Sequence, residues 1–411
     1  MTVNKKQHIV IVTSAQPSAN PRGVKEATAL DAAGYKVTVI YVPLSPWADE
    51  FDKQLFEETP TIQWVQAVAH PNQRPIRYKW FRIRRRIYEK LWQYASFLGT
   101  EPAKGYVLYA QELIKAACAI KADLYIAHNL GALPAALKAA AKHKAASAFD
   151  AEDYHRGEYQ EQLLSYHMAI AIEDKYLPLV NYISTASPLI GEAYRSHYPN
   201  NDVTVINNVF NKLFLQPYTP VPSKSLKLFW FSQTAGPNRG LEIVVEAMKQ
   251  LPDCNIELHI LGNCSEEYRQ QLSGSANRSS SIKFLSPVAL KDIFTIAKNY
   301  DVGLVSDIPY CLNRELCLTN KLFTYLLAGN CIVASDTKAQ QQFLHQHPGI
   351  GVVYKSLDPR HLAVQLKHLY DNREYLSSCR KKAHELADTV MNWENESKKL
   401  LSIVEKQLAN S

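Results

Sequence analysis

Short apolar runs rich in β-branched residues recur along this chain, separated by segments of helical period. They fall at 8–14, 36–42, 61–68, 123–127, 146–150, 181–185 and 203–206, then at 226–232, 256–261, 282–285, 301–305, 331–335 and 350–354. Runs this continuous suit strands covered on both faces, and the amphipathic segments between them supply the covering helices. Alternation of this kind predicts an α/β protein with two parallel sheets. The Pro-rich stretch LQPYTPVPSKS (215–225) divides the runs into two groups. The expected organisation is a first domain at 1–214, a linker at 215–225 and a second domain at 226–391. The remaining 392–411, with NWENESKKLLSIVEKQL, reads as a further helix.

Within the second domain, ELCLTNKLFTYLLAGNCIVASD (315–336) is the most informative stretch. Thr319 suits a helix N-cap, the helix runs through Ala328, and Gly329 sits where a left-handed C-cap belongs. CIVAS (331–335) follows as a buried strand. A helix beginning at Thr319-Asn320-Lys321 points free amides and a lysine at the loop before it, which suits a phosphate or diphosphate. An ordinary helix-to-strand step with a surface lysine is the plainer alternative.

The run NKLFTYLLAG before a strand resembles the donor-binding segment of the retaining glycosyltransferases of family 4, which have the GT-B fold. Further landmarks occur in the same order: HIVIVTS (8–14) with PRGVKEATALDAAGYKVTVIYV (21–42), DLYIAHNLGALPAALKAA (123–140), SAFDAEDYH (147–155), and FWFSQTAGPNRGLEIVVEAM (229–248). The resemblance implies two Rossmann-like domains whose parallel sheets face a central cleft, with the terminal helix at 392–411 crossing back toward the first. It also implies transfer of a sugar from a nucleoside-diphosphate sugar, UDP-linked, to a lipid-linked or cell-envelope saccharide. A soluble acceptor, a sugar-nucleotide epimerase or an inactive binding subunit are the alternatives.

Residue by residue, the resemblance assigns His128, Arg239 and Lys321 to catalysis. Gly23, Gln233, Gly240, Phe284, Ser286, Glu315, Thr319, Asn320 and Thr324 fall to the donor. Asp150, Glu152, Asp153 and His155 lie together in one strand exit, which either lines the acceptor side of the cleft or is a solvated acidic loop. The chain departs from the family at three points. The usual glutamate pair is replaced by Cys317 and Thr324, with Glu315 a nearby substitute, and an expected arginine is Gln233. Retaining transfer needs groups that stabilise the departing diphosphate in a dry cleft, and no carboxylate dyad. No metal and no cofactor are expected.

Composition narrows the setting. The chain has 411 residues, enough for two ordinary cores. No run of eighteen apolar residues suggests a membrane span. Seven cysteines, without a CxxC pair, read as scattered thiols of a reducing compartment. A cytoplasmic protein is expected, peripheral on the inner membrane face if it binds lipid. That last expectation comes from residues 71–95, whose net charge equals the +7 of the whole chain. On a helix from Trp80, residues Trp80, Ile83, Ile87, Leu91 and Tyr94 share a face that Phe81, Tyr88 and Trp92 widen. Arg82, Arg85, Arg86 and Lys90 take the opposite arc, and Arg84 falls within the apolar one. Interleaved Trp and basic residues suit an anionic membrane surface, with Trp80, Arg82, Arg85, Arg86, Lys90 and Trp92 as the contacts. A core-packed helix with a solvated basic face is the competing reading. Nucleic acid, which also selects basic patches, is disfavoured.

Overall fold

The computed structural model describes residues 6–44, 46–96, 99–218, 224–274 and 280–409. Positions 219–223 of the expected linker and 410–411 of the terminal segment lie outside the described residues. The chain folds as two units, one formed by 1–206 with 397–411 and the other by 207–396.

The first unit holds a parallel sheet of seven strands: β1 (His8–Thr13), β2 (Lys36–Tyr41), β3 (Gln63–Gln66), β4 (Leu124–His128), β5 (Ala146–Ala151), β6 (Tyr182–Thr185) and β7 (Asp202–Val205). Their order is β3-β2-β1-β4-β5-β6-β7. Every residue of β1, β4 and β5 is buried, which is why these strands read as unbroken apolar runs. The second unit holds six parallel strands: β8 (Leu226–Ala235), β9 (Ile256–Cys264), β10 (Ser280–Leu285), β11 (Val302–Val305), β12 (Cys331–Ser335) and β13 (Gly351–Tyr354). Their order is β10-β9-β8-β11-β12-β13. Leu228, Trp230, Leu258, Ile260, Leu304 and Val333 from four of these strands share one core. Both sheets are doubly wound α/β layers, as the spacing of the apolar runs predicts.

Helices begin and end where local chemistry requires. Asn20 caps the helix Pro21–Ala32 by accepting from the Gly23 amide, and proline takes its first position, where no N–H is needed. The helix Asn320–Ala328 ends at Gly329, whose φ of +68° is a left-handed C-cap. The last helix, Trp393–Ala409, begins in the second unit and ends in the first. Among the described residues no helix is long and apolar enough to cross a membrane. All seven cysteines are free thiols.

The basic segment forms one helix, Pro75–Ala95, but its apolar positions do not act as a single face. Phe81 is buried and Tyr88 and Trp92 are half-buried, whereas Trp80, Ile83, Ile87, Leu91 and Tyr94 are exposed. The reading of these five as a core-packed face is therefore wrong. The spacing showed which residues share a side, and tertiary contacts decided which side faces in. Arg84 does turn inward, pairing both guanidinium nitrogens with the Glu112 carboxylate at 2.6 and 2.9 Å.

Candidate functional site

In a doubly wound sheet, ligands gather beyond the carboxyl ends of the strands where strand order reverses. That reversal lies between β1 and β4 in the first unit and between β8 and β11 in the second. Each of these places collects charged residues.

In the first unit, Thr13 at the end of β1 pairs in register with His128 at the end of β4. The helix Pro21–Ala32 brings Arg22 and Glu26, one turn apart, to the same strand ends. Arg22 Nε and Nη2 donate to the two oxygens of Asp150 at 2.7 Å each, and Nη1 donates to the Ile206 carbonyl at 2.7 Å. Ser184 Oγ donates to Asp150 Oδ2 at 2.6 Å. His128 Nε2 hydrogen-bonds Glu26 Oε2 at 3.0 Å, and its Nδ1 lies 3.6 Å from Asp150 Oδ1. Arg22, Glu26 and Asp150 are 0% exposed and His128 is 1% exposed.

Burial opposes every charge in this cluster, so the partners decide the outcome. For Arg22 burial is outweighed by Asp150, and the guanidinium pKa rises. For Asp150 burial is outweighed by Arg22 and then His128, which hold its carboxyl below the usual carboxylate range. Glu26 is pushed up, first by burial and then by the Asp150 charge. His128 is raised because Glu26 and Asp150 outweigh its burial. Arg22 and Asp150 thus form the ion pair, and Glu26 and His128 share a hydrogen bond beside it. Lys25, immediately before Glu26 in this helix, is pulled down to about 7 by burial and then by the Arg22 charge.

Glu26, His128 and Asp150 place ligand atoms within 4.8 Å of one another, a set that a cation would accept. The Arg22 guanidinium already supplies that charge, 2.7 Å from Asp150 and 3.6 Å from Glu26. The residues fit a fixed internal cation better than a metal ion.

The acceptor-side group expected from SAFDAEDYH is not one surface. Asp150 is turned wholly inward to Arg22 and Ser184, because the buried guanidinium needs a counter-charge beside it. His155 is buried and bonds Glu158 Oε1 at 2.7 Å. Glu152 and Asp153 are half-buried and are the members of the group with open surface. Gly23 is buried beside Asn20 and His128.

In the second unit, β11 leads directly into Ser306 and Asp307. Ser306 Oγ donates to the Arg239 carbonyl at 2.8 Å. Gly240 has φ of +78°, and a Cβ there would lie 2.2 Å from the Ser306 carbonyl, so only glycine lets the loop after β8 pass this close. Asp307 Oδ1 lies 3.4 Å from Lys321 Nζ and 4.0 Å from Arg314 Nη1. Gln340 Nε2 donates to its other oxygen at 3.1 Å. Lys321 Nζ also stands 5.9 Å from the centroid of the Trp230 ring. The neighbours Ser306 and Asp307 therefore tie the Arg239 loop and Lys321 to one strand end. Arg239 itself is exposed, with Nη1 3.3 Å from Ser232 Oγ. Burial works against the Arg314 charge, but the Tyr310 hydroxyl, Cys317 and Asp307 outweigh it and raise the pKa.

Thr319 occupies the N-cap position in extended backbone, yet its hydroxyl makes no cap bond. That oxygen is buried and has no hydrogen-bond partner among the described residues. Asn320 beside it is exposed. Three expected donor residues are engaged elsewhere or set apart. Glu315 Oε2 accepts from the Lys338 amide at 3.0 Å and so caps the helix Lys338–Gln346. Thr324 is fully buried and donates to the Asn320 carbonyl at 3.0 Å, the usual recourse of a threonine inside a helix. Gln233 is exposed in the irregular part of β8 between Phe231 and Thr234. Phe284 is half-buried under Arg269, whose guanidinium carbon is 5.4 Å from the ring centroid, and Ser286 is exposed just past β10.

Arg22, Glu26, Asp307 and Arg314 were not singled out from sequence. Two signals point to the first three: the one-turn spacing of Arg22 and Glu26 after the first strand, and an aspartate two residues beyond a buried strand; nothing local marks Arg314.

The fold is GT-B, with two Rossmann-like α/β units. Sucrose-phosphate synthase from Thermosynechococcus elongatus matches with a TM-score of 0.74 at 14% identity, over 99% of this chain and 100% of that one. HepE from Anabaena, in complex with UDP-glucose, matches with 0.68 at 14% identity, over 97% and 99%. A TarM variant of S. aureus, in complex with UDP, α-GlcNAc-glycerol and fondaparinux, matches with 0.68 at 10% identity, over 98% and 100%. No protein-family model matches the chain, and no curated protein matches it.

Proposed function

We propose that this chain is a retaining glycosyltransferase of the family 4 kind, moving a sugar from a nucleoside-diphosphate sugar, UDP-linked, to a saccharide. One observation carries the reading. Lys321 and the Arg239–Gly240 loop converge on the end of β11, and the helix carrying Lys321 begins at Thr319, whose hydroxyl has no partner among the described residues. Three kinds of donor there suit a diphosphate, and solved structures of the same fold hold UDP and UDP-glucose. Asp307 serves as the counter-charge that orients Lys321. In this reading the anomeric C–O bond breaks as Arg239, Lys321 and the amides at 319–321 stabilise charge on the departing diphosphate. The acceptor oxygen bonds on the face the diphosphate leaves and passes its proton to a phosphate oxygen. No metal takes part. His128 is assigned to the donor sugar, and Glu152 and Asp153 to the acceptor. The acceptor is a lipid-linked or cell-envelope saccharide reached from the cytoplasm.

The test is calorimetric titration with UDP and GDP, joined to donor turnover. Lys321→Ala and Arg239→Ala should each weaken nucleotide binding by about 1.5–3 kcal/mol, the range for a charged hydrogen bond. Wild-type affinity in both variants would remove the site. Chelator-sensitive turnover would remove the metal-free mechanism. A second reading, an epimerase or a binding subunit without transfer, draws on Glu315 and Thr324, which are committed to helix backbone and present no glutamate pair. Incubating a panel of UDP-sugars and resolving products by NMR separates the two, since transfer or hydrolysis releases UDP and epimerisation does not.

A further inference from the structure

The helix Pro75–Ala95 carries a surface that the proposed chemistry leaves unused. At a rise of 1.5 Å per residue it is about 31 Å long. Its inner side is fixed by specific contacts. Phe81 meets Tyr109 edge-on at 5.1 Å, Arg84 forks onto Glu112, and Gln111 donates to the Tyr88 hydroxyl at 3.2 Å. A Cβ on Gly105 would lie 2.8 Å from the Glu89 backbone, so the neighbouring segment approaches as closely as glycine allows. The helix cannot roll, and its outer ridge is a permanent feature.

That ridge consists of Ile76, Trp80, Ile83, Ile87, Leu91 and Tyr94, which are 45–84% exposed. The spacing i, i+4, i+7, i+11, i+15, i+18 keeps them in one line. Lys79, Arg82, Arg86 and Lys90 run along one side of it, all exposed. Between this basic edge and the body of the unit lies a cavity of about 150 Å³ lined by Tyr78, Arg82, Arg85, Arg86 and Leu108.

We propose that this helix lies in the interface of an anionic lipid bilayer, with the ridge among the acyl chains and a lipid phosphate in the three-arginine cavity. Charge complementarity selects the occupant. The helix has seven basic residues against Glu89 alone, and one of the seven, Arg84, is spent inside on Glu112. A phosphate backbone would pair with the basic edge but would leave six apolar side chains in water. A bilayer satisfies both, with Trp80 and Tyr94 at the depth where aromatic rings settle. Trp92, half-buried on the Phe81 side, is not an insertion residue.

Vesicle co-sedimentation of the full chain, without donor or acceptor, tests this independently of the transferase reading. Vesicles with one-third phosphatidylglycerol should bind at least tenfold more tightly than pure phosphatidylcholine at low salt, and binding should fall at least fivefold in 0.5 M NaCl. Arg82→Glu with Arg86→Glu should abolish binding. Ile83→Ser with Ile87→Ser should weaken it at least tenfold while leaving the melting temperature unchanged, since both side chains are already in solvent. Brominated lipid should quench wild-type fluorescence and lose most of that effect in Trp80→Phe. Equal binding to both vesicle types would overturn the proposal. So would an oligonucleotide that binds equally well to the wild type and the double-serine variant while vesicles do not. A dimer in solution that buries the ridge and ignores vesicles would overturn it in favour of a second copy as occupant.

Discussion

Replacing Arg22 by Met should damage the first unit more than any loss of catalytic function would suggest. Arg22 donates two hydrogen bonds to Asp150 and one to the Ile206 carbonyl, all at 2.7 Å and without solvent exposure. Its removal leaves a buried carboxylate with, among the described side chains, the Ser184 hydroxyl and a histidine ring 3.6 Å away. Breaking a buried pair from one side costs about 3–5 kcal/mol. For a unit of this size, each kcal/mol moves Tm by roughly 2–4 °C, so a drop of roughly 6–20 °C is expected. Asp150→Asn should cost less, because Glu26, 3.6 Å from Arg22, can ionise in its place. The double variant should fall well short of the sum, with a coupling of about 2 kcal/mol or more. Scanning calorimetry, with hydrogen exchange to assign each transition to its unit, measures all four proteins. The linkage adds a check. The native pKa of Asp150 is depressed, so its stabilisation is present above its ordinary value and is lost as pH falls through the lowered one. Asp150→Asn should lack that acid-side loss. Additive single effects, or Arg22→Met melting like the wild type, would show that the four side chains do not act as one electrostatic unit.

His128→Gln keeps a neutral partner for Glu26, so the fold should persist while turnover falls by about 10²–10⁴; full turnover would reduce His128 to a member of the charge cluster. Gly240→Ala forces a Cβ to 2.2 Å from the Ser306 carbonyl at a positive φ, and should destabilise the second unit by about 2 kcal/mol or more and weaken UDP binding. An unchanged melt would show that the loop has slack. His155 is raised to about 9 because Glu158 outweighs its burial. Its contribution is therefore full below its ordinary pKa of 6.5 and lost as pH rises toward about 9, worth at most about 3 kcal/mol. Urea titrations at pH 6 and 9.5 should show that difference in the wild type and not in Glu158→Gln.

Much of this architecture is legible in the amino-acid sequence. Strands buried on both faces have to be continuous apolar runs, and that constraint is strong enough to place strands such as CIVAS without tertiary information. The helix ahead of it was legible for the same kind of reason, since Gly329 is a cheap left-handed stop. What stayed hidden depends on partners distant in sequence. Arg22 and Asp150 are 128 positions apart, and although Asp150 falls in a predicted buried strand, nothing local says which charge meets it there. Glu315 looks like a ligand group until the Lys338 amide is seen beside it. The basic helix is the sharpest case. Periodicity sorted its residues onto sides correctly, but a ridge of Trp and Ile looks the same in sequence whether it faces a core or a bilayer.

The terminal helix has a consequence for how the protein is made. The first unit consists of residues 1–206 together with 397–411, so its final segment is translated about 190 residues after the rest of it. Leu400 and Val404, both fully buried in the finished protein, belong to that late segment. At ribosomal speeds of about 5–20 residues per second, the nascent first sheet waits about 10–40 s for them. During that interval the surface they will cover is open to water, to neighbouring chains and to chaperones. The second unit, continuous from 207 to 396, waits for no later segment and is the one able to finish first.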